Sequence, residues 1–173
     1  ASVLGEVTGD IASEVEWVEK VLQNISLSVS GFGHTEEASA TSHPLPDDSA
    51  SAYITDPPYY HAISYATLSD FFYTWLRRML SSAYPELFRL IETQKHNEII
   101  VDLPHALNTA QKDITFYENE LCKAFSEGRR ILRPDGIGTI VFASKTTASW
   151  EAILKALVDA GWIITGSWPI DTE

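Results

Sequence analysis

A short strand-like run near the middle of the chain ends at two consecutive prolines. The run covers residues 51–55 (SAYIT), which favour β-structure, and it is followed directly by Asp56, Pro57 and Pro58. Neither proline can donate a hydrogen bond to a neighbouring strand, so a strand has to end at this point. A strand followed by a stiff corner is therefore the strongest constraint that this sequence places on the fold.

Four other stretches repeat apolar residues at intervals of three or four, which predicts amphipathic helices. We expect these helices at residues 11–29, 66–83, 112–132 and 148–160, the first with Asp10 as its N-cap and Gly31 as its stop. Each helix has one apolar stripe, and we predict that the stripes of the last three helices face inward. The stripes are Ile11, Val15, Val18, Leu22 and Ile25; Leu68, Phe71, Phe72, Trp75, Leu76, Met79 and Leu80; Ile114, Tyr117, Leu121, Phe125 and Leu132; and Trp150, Ile153, Leu154, Leu157 and Val158.

Two further apolar runs predict strands. Residues 138–143 indicate a buried strand after a tight turn at 133–136, and residues 162–168 indicate a last strand after a left-handed cap at Gly161. A short strand is also expected near 36–40, and residues 84–111 are expected to be an insertion with a short helix at 85–93. Strands that alternate with helices predict an α/β domain with a mostly parallel sheet and flanking helices.

Composition narrows the class of protein. The chain has 173 residues, of which 45% are hydrophobic and 21% charged, which is typical of one globular domain. It has no apolar run of 18 residues and no signal-peptide pattern at its start, so we expect no membrane association. Cys122 is the single cysteine, which predicts a small core residue and a cytoplasmic location. The five histidines lack the spacing of metal ligands, so no metal site is predicted.

The formal net charge of −12 opposes binding of nucleic acid by this sequence alone. The basic clusters are Arg77 with Arg78, and Arg129 with Arg130 and Arg133, and we interpret both as solvated helix faces. If the partner is DNA, its phosphates are expected to be bound through segments outside this chain.

The corner after residues 51–55 combines groups that suit one kind of chemistry. Ligands of open α/β sheets bind at the carboxyl ends of strands, which is where Asp56 and the two prolines stand. A carboxylate and a free proline carbonyl supply two hydrogen-bond acceptors, and Tyr59 supplies a flat ring. Two acceptors beside a ring would hold an exocyclic amine of a planar base, with its lone pair directed at an electrophilic methyl group. The rigid corner would contribute positioning.

These residues resemble a known enzyme class. Asp-Pro-Pro-Tyr after a strand is similar to the motif of N6-adenine and N4-cytosine DNA methyltransferases. Over roughly residues 35–173 the chain more specifically resembles the DUF1156 family of adenine-specific DNA methylases. The matching strings are ITDPPYY at 54–60, LSDFFY at 68–73, WLRR at 75–78, RILRPDG at 130–136, VFA at 141–143 with KT at 145–146, and GSWPI at 166–170.

The resemblance implies a Rossmann-like methyltransferase fold, S-adenosylmethionine as the cofactor and DNA as the substrate. It implies that Asp56 and the Pro57 carbonyl accept from the target amine and that Tyr59 stacks on a flipped base. Two positions depart from the family pattern: His61 replaces an acid that often follows the tyrosines, and Ser144 replaces a histidine. The implied catalytic residues are Asp56, Pro57, Pro58 and Tyr59, the substrate-binding residues Tyr59, Tyr60, His61 and Lys145, and the cofactor-binding residues Asp56 and Pro57.

The glycine loop with which the family holds its cofactor (Asp-x-Phe-x-Gly-x-Gly) has no counterpart here. Gly31 and Gly33 lie too close to Asp56, because one strand–helix–strand unit needs about 30 residues. We therefore expect residues 1–173 to be the C-terminal portion of a catalytic domain. Two alternatives stay open: an RNA guanine-N2 methyltransferase, which usually has glycine in place of Tyr60, and a non-catalytic fragment that is inactive without the missing part.

Overall fold

The first helix of the chain belongs to a unit of its own. The computed structural model describes residues 11–28, 31, 33–60, 63–101 and 112–169, and it divides the chain into residues 1–37 and 38–173. Helix α1 spans Ile11–Ser28, close to the predicted 11–29, and its predicted cap Asp10 lies outside the described residues. The helix is confirmed, and its stripe from Ile11 to Ile25 is 51–61% exposed. Within its own unit, α1 has no second described element on which to pack.

The second unit is built on two parallel strands. Strand β1 spans Ala50–Thr55 and strand β2 spans Leu132–Ile140. Tyr53 stands opposite Gly138, and Thr55 stands opposite Ile140. The α/β class and the parallel pairing are confirmed, and the strand before the prolines lies where the sequence predicts it. Because the strands are parallel, their carboxyl ends lie at the same edge of the sheet.

The beginning of β2 differs from the prediction. Ala50 pairs with Leu132 and Ala52 pairs with Ile137, so residues 133–136 bulge out of the ladder instead of forming a separate tight turn. Pro134 cannot donate to the ladder, and extra residues of this kind are accommodated as a bulge. The strand predicted at 138–143 ends at Ile140, and these residues are not fully buried, since Thr139 is exposed and Val141 is 47% exposed.

Helix α2 spans Tyr65–Leu80 and has no buried residue. Its apolar stripe was predicted to be inward, but Phe71 is 67% exposed and Trp75 is 54% exposed. That prediction is wrong because the core of the unit lies between other elements, and no described element covers this face of α2. The exposed residues of the stripe are Leu68, Phe71, Phe72, Trp75, Leu76, Met79 and Leu80.

The core forms between α3, Ile114–Ile131, and α4, Thr147–Asp159. Asp113 caps α3 by accepting a hydrogen bond from the Phe116 amide at 2.8 Å. The helix then places Tyr117, Leu121 and Phe125 inside, at 0–1% exposure. Ile114 at the open end is instead half exposed, and Leu132 is buried as the first residue of β2.

Helix α4 buries a narrower face than the sequence predicts. Ile153 and Leu157 are buried against α3, as predicted. The three other residues of the stripe lie at its margins, where α3 does not reach them. They are Trp150 at 41%, Leu154 at 42% and Val158 at 60% exposure.

A tryptophan, rather than a strand, follows α4 and packs against the core. The indole nitrogen of Trp162 donates to the Phe125 carbonyl at 2.9 Å, and its ring packs at 5.7 Å from Tyr53. Residues 162–168 do not join the sheet, so the predicted last strand is wrong. This segment therefore contributes to the core through the side chain of Trp162, and not as the strand that the sequence pattern predicts. Cys122 is half-buried against the same core, where the sequence places it.

The segment that precedes Ile100 is fastened to α2 without being helical. The short helix predicted at 85–93 is wrong, because residues 85–88 form turns. The Tyr73 hydroxyl donates to the Leu90 carbonyl at 3.0 Å, and Lys95 forms an ion pair with Asp70 at 2.7 Å. The bond from Tyr73 satisfies a backbone carbonyl that a helix would otherwise have used, and the ion pair adds a side-chain link to α2. The short strand predicted near residues 36–40 is also wrong. That region contains one isolated bridge, between Ser39 and Ser42, and no strand.

Arg130 fixes the chain at the entrance to β1. Its guanidinium group binds Asp47 at 2.6 Å and Glu127 at 2.7 Å, and it donates to the His43 and Leu45 carbonyls. These bonds raise the pKa of Arg130 and lower that of Glu127. Our interpretation of this cluster as a solvated face is therefore wrong for Arg130.

Gly161 ends α4 in the left-handed conformation that the sequence predicts. Its φ is +82°, its amide donates to the Val158 carbonyl, and the Trp162 amide donates to the Leu157 carbonyl. This is a Schellman cap, in which a side chain at the glycine position is strained. A Cβ added at Gly161 meets no atom within 4 Å, so only the backbone would resist it.

We expect Gly161→Ala to lower the free energy of unfolding by about 1 kcal/mol. Urea denaturation followed by far-UV circular dichroism measures the loss. Gly33→Ala is the matched control, because a Cβ there also meets no atom within 4 Å and its φ is not left-handed. Equal stability of Gly161→Ala and the unsubstituted protein would contradict the assigned cap.

Candidate functional site

The acid and the two prolines stand at the carboxyl end of β1. Thr55 ends the strand, and its carbonyl still accepts from the Val141 amide at 2.9 Å, which holds the two strand ends together. Asp56 is exposed, Pro57 is buried and Pro58 is half-buried. The buried ring of Pro57 anchors the corner, while the carboxylate of Asp56 is accessible from outside.

The two proline carbonyls have different surroundings. The Pro58 carbonyl accepts from the Tyr117 hydroxyl at 2.7 Å and from the Tyr60 amide at 3.1 Å. Among the described residues, no hydrogen bond reaches the Pro57 carbonyl. A carbonyl oxygen has two lone pairs, so Pro58 is saturated while Pro57 can still accept.

Tyr60 adopts a backbone conformation that side chains disfavour. Its φ is +55°, in the left-handed region. The Val101 amide donates to the Tyr60 carbonyl at 3.0 Å, and the Tyr60 ring packs edge-to-face on Tyr117 at 5.3 Å. A strained residue persists where its surroundings fix it, which is the case here on both sides. Tyr60 therefore shapes the corner through its backbone as much as through its ring.

Tyr59 is in contact with the acid. A hydrogen bond from its hydroxyl to the Asp56 carboxylate, with some burial, raises the pKa of Tyr59 to about 12. The hydroxyl therefore stays protonated at neutral pH and remains a donor. A carboxylate has about four lone-pair positions, so Asp56 can hold Tyr59 and still accept from a second donor.

The ring of Tyr59 belongs to an aromatic row along the edge of the sheet. Tyr59 contacts Phe142 edge-to-face at 5.3 Å, and Phe142 contacts Trp150 edge-to-face at 5.0 Å. Phe142 comes from the segment just after β2, and Trp150 comes from the first turns of α4. Both tyrosines of the corner are half-buried, so part of the Tyr59 ring is still accessible.

Lys145 and His61 complete the residues predicted from the sequence. Lys145 follows β2 by five residues, at the same edge as Asp56, and its side chain is exposed. It has no ion pair or hydrogen bond with any residue that the structure describes. His61 lies outside the described residues. The corner from Asp56 to Tyr60 is thus assembled as one group, and Lys145 lies in the segment that follows β2.

A cavity of about 700 Å³ lies beside the corner, at the start of α2. Ile100 lines it and precedes Val101, the residue bonded to Tyr60. The charged side chains of the cavity, counted together with the adjacent Asp70, include as many cations as carboxylates. The cavity therefore has no excess of positive charge that would bind a chain of phosphates. The charged residues that line it are Arg89, Lys95, Lys112, Glu92 and Glu98.

Neither a metal centre nor a membrane span is found in the described parts of the chain. No group of three or more His, Cys, Asp or Glu residues there is placed to hold a metal ion. None of the helices seen there has both the length and the apolar character needed to cross a bilayer.

Comparison with known proteins gives no match. The chain matches no family model, no curated protein and no solved structure. The resemblance to the DUF1156 family thus stays a prediction that rests on the quoted strings, and the function has to be argued from the corner itself.

Sequence reasoning missed two residues of the site. The sequence predicts Tyr117 only as a core residue, and it includes Phe142 only in a string that matches the family. The signal for Tyr117 was available, because a buried tyrosine needs a partner for its hydroxyl and therefore points to a polar neighbour. No comparable signal exists for Phe142, since its role depends on the pairing of β1 with β2.

Proposed function

We propose that this protein transfers a methyl group from S-adenosylmethionine to an exocyclic amino group of a DNA base, with adenine N6 as the preferred target. The observation that carries the proposal is the corner after β1, which has an exposed Asp56 beside a Pro57 carbonyl with no hydrogen bond from the described residues. An amine with two N–H groups needs two such acceptors.

The corner would act on the amine by orienting it. The lone pair of an aromatic amine is delocalised into the ring, which makes the nitrogen a poor nucleophile. Hydrogen bonds from its two N–H groups to Asp56 and to the Pro57 carbonyl favour a pyramidal nitrogen with a directed lone pair. Because Pro57 is buried and Asp56 already accepts from Tyr59, we expect both acceptors to be held in place before the substrate binds.

A base must leave its duplex to reach this corner. Unstacking costs a few kcal/mol, and stacking on an aromatic ring offsets part of it. Tyr59 is the aromatic ring next to the acid, and its contacts with Asp56 and Phe142 fix its position. We therefore assign Tyr59 to base stacking, with Tyr60 and Lys145 at the margin of the site.

The described residues fit the amine side of this reaction but not the binding of the cofactor. The cofactor supplies the electrophilic methyl group, and a glycine-rich loop after a strand would be needed to hold it. Gly31 and Gly33 follow helix α1 instead of a strand, and they belong to the other unit. We also propose that β1 and β2 are part of a Rossmann-like methyltransferase sheet.

The decisive experiment measures transfer of tritiated methyl groups from S-adenosylmethionine to unmethylated DNA. It is run with residues 1–173 and with the complete reading frame that encodes them, and the modified nucleoside is identified by mass spectrometry. We expect N6-methyladenine from the complete protein. Calorimetry of residues 1–173 with the cofactor tests the fragment alternative, which micromolar binding would contradict. Methylated guanine in RNA, or no transfer by a folded, cofactor-binding protein, would refute the proposal.

Substitutions of Tyr59 test the stacking role. We expect Tyr59→Ala to lower kcat/KM by about 10- to 100-fold, since a base–aromatic stack contributes roughly 1–3 kcal/mol. Tyr59→Trp keeps a flat ring and is expected to lose less. Steady-state kinetics on single-stranded DNA measures both variants. If Tyr59→Trp were as impaired as Tyr59→Ala, a flat ring would not be the property that matters.

A further inference from the structure

The Tyr117 hydroxyl is placed to decide which proline carbonyl a substrate can use. Tyr117 is fully buried on α3, at 0% exposure. Its hydroxyl donates to the Pro58 carbonyl at 2.7 Å and lies 3.3 Å from the Tyr60 amide, from which it accepts. One side chain thus contacts the corner at two successive peptide groups.

These contacts have opposite effects on the two prolines. The lone pairs of the Pro58 carbonyl are occupied by Tyr117 and by the Tyr60 amide, so this carbonyl cannot accept from a substrate. The neighbouring Pro57 carbonyl receives no hydrogen bond from the described residues. The bonds to Tyr117 also hold Tyr60 at φ +55°, which sets the direction of the chain at the corner.

We infer that Tyr117 is a positioning residue, which fixes the corner so that Asp56 and the Pro57 carbonyl are presented together to the amine. The inference rests on the proposed function. It goes beyond that function because Tyr117 lies far along the chain from the corner and does not touch the substrate. It acts through Pro58 and Tyr60.

Tyr117→Phe removes the hydroxyl and keeps the ring that packs on Tyr60. We expect kcat to fall about 10- to 100-fold with little change in KM for the cofactor, because small misplacements of reacting groups have effects of this size. We also expect faster hydrogen exchange at the Tyr60 amide, measured by NMR, because that amide loses one of its acceptors.

Tyr53→Phe is the matched control. It removes the same atom from a half-buried tyrosine, but Tyr53 lies within β1, and its ring packs against Trp162 instead of the corner. We expect it to change neither the exchange at Tyr60 nor kcat by more than about two-fold. This comparison separates the loss of a buried hydroxyl from the loss of a bond to the corner.

Two results would overturn the inference. Tyr117→Phe could leave the exchange at Tyr60 unchanged, or it could speed that exchange while kcat stays at the unsubstituted value. A complete protein without methyl transfer would instead overturn the proposed function. In that case the exchange rates would still show whether Tyr117 fixes the corner.

Discussion

Asp56→Ala is expected to reduce methyl transfer by about 100-fold or more, with no loss of folded structure. The reduction follows because the variant keeps one acceptor, the Pro57 carbonyl, and loses the charged one; removing one preorganised polar group from an active site typically has effects of this size. The fold is expected to persist because Asp56 is exposed and follows the last residue of β1.

Tritiated methyl transfer by the complete protein measures the effect of Asp56→Ala, and thermal denaturation checks the fold. Asp135→Ala is the matched control, since Asp135 is also exposed but lies in the bulge near the start of β2, where it pairs only with Arg133 among the described residues. We expect that variant to keep full activity. Normal turnover by a folded Asp56→Ala protein would contradict the assignment of the corner.

Phe125→Ala is expected to destabilise the protein by about 3–5 kcal/mol. Phe125 is 1% exposed, it packs between α3 and α4, and its carbonyl accepts from Trp162. For a protein of this size the melting temperature should fall by roughly 10 °C. Circular dichroism during heating measures this change.

Phe71→Ala makes the same chemical change on α2, where the phenylalanine is 67% exposed. We expect its effect on the free energy of unfolding to stay within about 0.5 kcal/mol. The pair of variants tests whether burial, and not the residue type, decides stability. A large loss from Phe71→Ala would show that something covers this face of α2 in solution.

The elements that sequence predicted well are those in which local and distant forces agree. Helix α3 has a capping residue, Asp113, and an apolar stripe that meets the stripe of α4, so Tyr117, Leu121 and Phe125 are buried as predicted. Strand β1 ends where two prolines make further pairing impossible. In both cases a short stretch of chain already contains the physical reason for the structure.

The wrong predictions concern partners, which periodicity does not specify. The stripe of α2 is as apolar as that of α3, yet Phe71 and Trp75 are exposed because no described element faces them. Residues 162–168 have a strand-like composition. The side chain of Trp162 packs in the core, however, and the backbone of this segment does not pair with β1 or β2. An apolar pattern predicts that a surface needs covering, but not which element covers it.

The site was predictable to the extent that it is contiguous. Asp56, Pro57 and Tyr59 are neighbours in sequence, so their grouping needs no knowledge of the fold. The hydrogen bonds of Tyr117 to the corner depend on where α3 crosses the sheet, and the contact of Phe142 with Tyr59 depends on strand order. Local sequence indicates that a buried Tyr117 needs a polar neighbour, but it does not identify that neighbour, and it gives no sign of the contact of Phe142.

The sheet of two strands has a consequence for how the chain behaves at high concentration. In the described residues β1 and β2 pair only with each other, which leaves a row of backbone donors and acceptors on the outer side of each strand. Ile54 and Ile137 project from these strands at 74% and 72% exposure. Such margins can recruit a strand from a neighbouring molecule. Mutual repulsion from the net charge of −12 opposes this recruitment, and added salt weakens the repulsion. We therefore expect ionic strength to affect the self-association of the protein more than it affects the packing of the buried core.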